Sequence, residues 1–340
     1  MTPTLPDEVV KTMASREHRL HHWLWHEVRN KWLTYPEEVQ SQIRDMGWEP
    51  PRPAQDARGR AVLDNDAGED FFYMHRQMLI DVSRILSRVK DPKYPRVLVW
   101  SELPAPGDPE FPVPPAWFDP TRGADALDRR IGFETVQRLK SDIFYHKRLL
   151  PWQRMFTDPA FLRGITLGRL GSLIELSIHA AMHMRWASPP AGSRPEPSIT
   201  EAHTIDAVWD DPRYDFLGDT YSSHVHPVFW SLHGWIDDRI EDWKATNNVY
   251  GNDFWKGTWI GKMPTHAPPA PTPSPPVTGG MPGHGEPSAL GPSPASGARA
   301  MGGNGHGAGD MEEMEQLVTT IARCGNFYEG YARVLNSTFV

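Results

Sequence analysis

The chain has 340 residues, with 35 Lys and Arg against 43 Asp and Glu, for a net charge of −8. That balance leaves no broad basic surface for nucleic acid or an anionic membrane, and the length suffices to bury one large core or two smaller ones. The single cysteine, Cys324, excludes an internal disulfide and any multi-cysteine zinc or iron–sulfur site, a usage that suits a reducing compartment. No apolar run follows a basic patch near Met1 and no window nears 18 uninterrupted apolar residues, so the expectation is a cytoplasmic protein without a membrane span.

Residues 7–34 predict a helix carrying His18, His21, His22 and His26. His18, His22 and His26 are spaced by four and share a face. Arg16, Glu17, Arg19, Glu27 and Arg29 crowd the same segment, so its simplest reading is a solvated, partly aromatic helix. The alternative is a ligand helix using His22 and His26. A short helix follows at 36–46, and Pro50, Pro51 and Pro53 then break the chain. After a polar loop, residues 69–89 form a strong amphipathic pattern with Phe71, His75, Met78, Val82 and Ile85 on the inner face. Residues 90–127 are Pro-rich and irregular, and 128–150 return to helix with His146 at an exposed end.

Residues 169–188 read as a buried helix with His179 and His183 one turn apart on one face. Two imidazoles aimed at one point from a rigid element are what a metal ion requires. A metalloprotease reading fails, because Ala180 stands where the general-base Glu would be. A long connection holding His203 leads to a second buried helix in 221–243, entered at Pro227. Phe229, Leu232, His233, Ile236, Ile240 and Trp243 trace its apolar stripe, which points His233 inward and leaves Asp237, Asp238 and Arg239 mostly off the stripe. Taken singly, each of these histidines also reads as a core histidine bonded to a carbonyl. Residues 264–309 have the composition of a flexible linker, with His266, His284, His306, Met281 and Met301 scattered through it. Residues 310–337 predict a closing helix that docks back on the rest. The expected organisation is a helical domain over 1–263, the linker over 264–309 and the C-terminal helix within 310–340.

The stretch Glu175, His179, Ala180, His183 resembles the second-copper helix of tyrosinases and related type-3 copper proteins. Pro227, Phe229, Trp230, His233, Asp237 and Arg239 resemble the block that supplies the family's last ligand. Phe72-Tyr73-Met74-His75-Arg76 is similar to the block around the third ligand of its first copper. There are departures: Ala180 replaces an Asn, Leu232 a His, His226 an Asp and Met74 a Trp. Asp66 stands where a further first-site His is expected, and residues 27–74 contain none.

The resemblance implies a mainly α fold, a tyrosinase- and haemocyanin-like helical bundle with long irregular loops and a metal site between central helices. It implies His179, His183, His233 and His75 as metal ligands. The first half-site is then either depleted or completed by His22 and His26, with Asp64 or Asp66 as oxygen donors otherwise. His226 and Asp237 would stand behind the ligands. The implied chemistry is a copper oxidase or oxygenase, with one or two ions, acting with dioxygen on a phenolic, aminophenolic or catechol-like substrate. Natural-product tailoring, of the kind seen in siderophore maturation, is the narrower expectation. A three-histidine zinc hydrolase or cyclase, or an inactive binding module on the same fold, are the alternatives.

Overall fold

The computed structural model describes residues 4–117, 126–188, 195, 205–262 and 308–324. His203, the linker histidines and methionines, and the residues of the closing helix beyond 324 lie outside them.

Twelve α-helices are described: α1 Asp7–Met13, α2 Arg16–Lys31, α3 Glu37–Asp45, α4 Ala67–Val89, α5 Ala126–Lys140, α6 Asp142–Phe144, α7 Leu150–Thr157, α8 Pro159–Arg163, α9 Leu167–Ile174, α10 Ala180–Trp186, α11 Pro227–Asn247 and α12 Ala308–Ala322. A π-helical turn, Tyr145–Leu149, joins α6 to α7, and another, Glu175–His179, joins α9 to α10. Among the described residues there is no β-strand, only an isolated bridge between Gln55 and Ala61. No helix among them is long and apolar enough to cross a membrane.

The helix boundaries follow from local chemistry. Ser15 ends the first pattern and caps α2, its hydroxyl accepting the His18 N–H. Thr166 does the same for α9 through the Arg169 N–H. His226 caps α11, its Nδ1 accepting from the Val228 N–H at 3.1 Å, and Pro227 occupies the first turn. Asn248 closes α11 in the left-handed region at φ 54°.

The helix α2 differs from its simplest sequence reading. It is buried rather than solvated: Arg19, His22, Trp23, Leu24, Trp25, His26, Val28 and Arg29 are all inside. Its charges are absorbed by specific partners. Arg19 donates to the carbonyls of Ala14, Asp211 and Tyr214, and Arg29 pairs with Glu175. The helix α12 covers the outer side of α2 and α3, where Glu315 pairs with Arg16 at 2.8 Å and Met314, Leu317, Val318 and Ile321 are buried.

The closest crossing is between α4 and α9. A Cβ on Gly68 would come within 2.1 Å of the Gly168 carbonyl oxygen and the Ser172 nitrogen, and one on Gly171 within 2.2 Å of the Gly68 oxygen. Only backbone fits there. This contact sets α4 directly against the helix that continues into His179 and His183.

Candidate metal centre

Four elements converge on one buried volume. The helix α2 brings His22 and His26, α4 brings His75, the π-turn and α10 bring His179 and His183, and α11 brings His233. None of the six is more than 8 % exposed. Two sets of three have ring nitrogens all within 4.8 Å of one another: His22, His26 and His75, and His75, His179 and His233. His75 is common to both and lies between them. Its ring stacks on His233 at 4.2 Å and 6°, and its centroid is 5.5 Å from His26 and 6.0 Å from His179. His183 joins through His233, with their Nε2 atoms 3.2 Å apart.

The N-terminal pair therefore stands beside His75. Asp66 does not join the histidines: it precedes α4 in the left-handed region at φ 61°, and its Oδ1 lies 2.5 Å from where a Cβ on Gly168 would sit. Asp64 pairs with Arg169 near the surface.

The ring tautomers are set by backbone carbonyls. The Nδ1–H of His22 donates to Thr220 O at 2.6 Å, that of His75 to Phe71 O at 2.8 Å, that of His179 to Glu175 O at 3.3 Å and that of His183 to Leu217 O at 2.8 Å. With the proton on Nδ1, Nε2 carries a lone pair aimed away from that carbonyl. The Nε2 atoms of His22, His75 and His179 are buried and have no hydrogen-bond partner, as is Nδ1 of His233. Buried polar atoms nearly always find partners. Several orphaned nitrogens facing one volume are the mark of a site that fits an ion, and carbonyl-oriented imidazoles are how such ligands are held.

Electrostatics agree. Burial lowers His22 to about 3 and His183 to about 4, and carries His26, His75, His179 and His233 well below the usual imidazole range, with the neighbouring rings adding to it. All six are neutral at pH 7, the form that binds metal.

The walls are aromatic. Phe229 lies 4.0 Å from His233, Phe71 4.6 Å from His75 and 4.9 Å from His179, and Trp25 4.8 Å from His26, as ring centroids. Asp237 accepts from Arg76 at 2.6 Å and makes no hydrogen bond to the six histidines. His226 acts as the helix cap already described. A groove of about 670 Å³ on the surface, lined by Leu5, Tyr94, Leu98 and Trp230 among others, includes none of the six histidines.

One participant has no sequence signal. His224 is fully buried, with its Nδ1 3.1 Å from that of His22. Likewise, the loop before α11 supplies Leu217 O and Thr220 O, and carbonyls leave no trace in residue identity.

A mainly helical protein with six buried histidines gathered from four elements has the build of a metal-binding protein. The chain is similar to insect phenoloxidases. It is 27 % identical over 264 residues to "Phenoloxidase subunit 1" of Bombyx mori, covering 69 % of this chain and 32 % of that one. It is 22 % identical over 278 residues to "Phenoloxidase subunit 2" of Manduca sexta, covering 72 % and 34 %, and 25 % identical over 264 residues to that organism's "Phenoloxidase subunit 1". The match thus spans about a third of the length of these curated relatives. No family model matches the chain.

Proposed function

We propose that this chain is a copper-dependent oxidase or oxygenase that uses dioxygen on a phenolic, aminophenolic or catechol-like substrate. The observation that carries the reading is the pair of histidine triads sharing His75, with unpartnered nitrogens facing one volume. The phenoloxidase relatives and the resemblance to type-3 copper proteins support it.

In this reading His22, His26 and His75 hold one ion and His179, His183 and His233 the other. Copper, when bound, supplies one-electron redox chemistry with dioxygen. The chain's part is to keep six imidazoles neutral, to fix the tautomers of four of them through the carbonyls of Phe71, Glu175, Leu217 and Thr220, and to exclude water with Phe71 and Phe229. Neutral nitrogen donors suit both oxidation states of copper.

The proposal is phenolic chemistry; tailoring of a natural product, of the kind seen in siderophore maturation, is its narrower form. Zinc remains the alternative ion, since three neutral imidazoles with an open position suit it as well, and the triad of His75, His179 and His233 would serve a single ion. The test is copper and zinc analysis on chelator-free protein, followed by oxygen consumption with catechol. Copper uptake with catechol-dependent oxygen consumption supports the proposal. Zinc retention without copper uptake overturns it in favour of the hydrolytic reading, and binding of neither ion leaves the fold as a binding module.

A further inference from the structure

We propose that Trp25 and Trp259, with Trp48 packed beside Trp259, form a one-electron relay from the histidine cluster to the protein surface. It would return an oxidised centre that lacks substrate to its resting state before its own histidines are damaged. The proposal rests on the copper reading above.

The rings form a continuous series. Trp25 meets His26 edge-on at 4.8 Å and His75 at 5.8 Å. It stacks on Trp259 at 5.9 Å and 29°, and Trp259 meets Trp48 at 6.5 Å. Such separations put neighbouring rings at or near van der Waals contact, where single electrons pass between indoles readily. Phe71 and Phe229, which also face the cluster, are phenyl rings that hold their electrons far more tightly. Trp25 and Trp48 are buried and Trp259 between them is half-buried, so the series reaches the surface at Trp259.

The outer end is held in place. Trp25 Nε1–H donates to Trp259 O at 3.1 Å. Asp70, on α4, accepts the Trp259 N–H at 2.8 Å, and Glu69 accepts the Gly257 N–H at 3.0 Å. A Cβ on Gly257 would come within 2.7 Å of Glu69 Cβ, so that segment is seated directly on α4. The helix that carries His75 thus also fixes Trp259.

Charge sets the direction. The Arg29 guanidinium lies 4.9 Å from the Trp25 ring centroid, which disfavours a positive charge resting on Trp25 even with Glu175 offsetting part of that field. At Trp259 the Asp70 carboxylate is offset by its two-pronged pair with Arg52, and it is contact with water that favours the charge there.

The electron count closes with peroxide as oxidant. Hydrogen peroxide with two electrons and two protons gives two waters. Each electron leaves Trp25 and is replaced by one from Trp259, whose indole N–H proton passes to water. A surface reductant of the ascorbate or thiol class then returns one electron and one proton to the neutral indolyl radical. Without that reductant, the Trp259 radical combines with dioxygen and is trapped as an oxygenated indole.

The experiment treats copper-loaded protein with hydrogen peroxide, without phenol, and maps oxidised residues by peptide mass spectrometry. The relay predicts oxidation at Trp259 and Trp48, suppressed by ascorbate and absent from metal-free protein. In Trp25→Phe, checked for unchanged copper content, oxidation at Trp259 should fall several-fold and appear at His26 and His75. Should that variant not fold, Trp259→Phe should move oxidation inward to Trp25. An unchanged pattern in the variant tested, or the same pattern without metal, overturns the relay alone. Failure of the unaltered chain to bind copper overturns the copper reading and the relay with it.

Discussion

The guanidinium of Arg29 and the carboxylate of Glu175 meet in a two-pronged ion pair, at 2.7 and 2.8 Å, with Arg29 fully buried. Arg29 sits three residues after His26 and Glu175 four before His179. The pair therefore ties the helix of the first triad to the helix of the second. Removing one partner leaves a buried charge uncompensated, which costs about 3–5 kcal/mol. Glu175→Ala should show a loss of that size in urea unfolding of the metal-free protein. Arg29→Met with Glu175→Met should recover most of it, because two apolar groups leave no charge unpaired, only the Ala67 carbonyl without its Arg29 donor. A single variant as stable as the parent would mean the clamp does not hold the helices.

The contact between α4 and α9 leads to a second expectation. Gly68→Ala puts a methyl where only backbone fits, and should cost about 1–3 kcal/mol or more and reduce metal uptake by separating His75 from His179. Gly132→Ala, on α5 with open space around it, should be neutral or slightly stabilising. Thermal melts and metal titration of the two variants, side by side, check both halves.

The histidines themselves separate the two proposed ion sites, the second of which adds His183 through His233. His22→Ala and His183→Ala should each lower copper content from about two to about one ion per chain, counting about three imidazoles to an ion. His146→Ala, on the exposed π-turn, should leave it unchanged. Full copper content in His22→Ala would remove α2 from the metal site.

Stability should fall in acid. His22, His183 and His226 are lowered from 6.5 to about 3, 4 and 4 by burial. A histidine lowered on folding takes up a proton when the chain unfolds. Its neutral form supports the fold fully above about pH 6.5, and that support is lost as pH falls toward the folded value. Each such group contributes a slope of about 1.4 kcal/mol per pH unit within that window. Unfolding of the metal-free protein at pH 7, 6, 5 and 4 should show steadily falling stability. A flat profile over this range would show that these rings are not buried neutral in solution.

Much of this arrangement is legible in the chain. His179, His183 and His233 lie on helical stripes whose apolar neighbours force them inward, and periodicity alone locates them. His75 needs the resemblance, since a single histidine on an apolar face carries no further sign. The helix carrying His22 and His26 is misread as solvated because Arg19 and Arg29 look like surface charges. Their burial depends on the carbonyls of Ala14, Asp211 and Tyr214 and on the carboxylate of Glu175, and most of these lie far away in the chain. The same holds for Gly68 against Gly171, whose meaning appears only once two helices are docked. His224 is found by packing alone.

The central claim is that six imidazoles from four elements hold a pair of copper ions. Metal analysis of chelator-free protein after incubation with copper tests it most directly. The account predicts about two copper ions per chain. A single tightly held zinc with no copper uptake, or no metal at all, would contradict it.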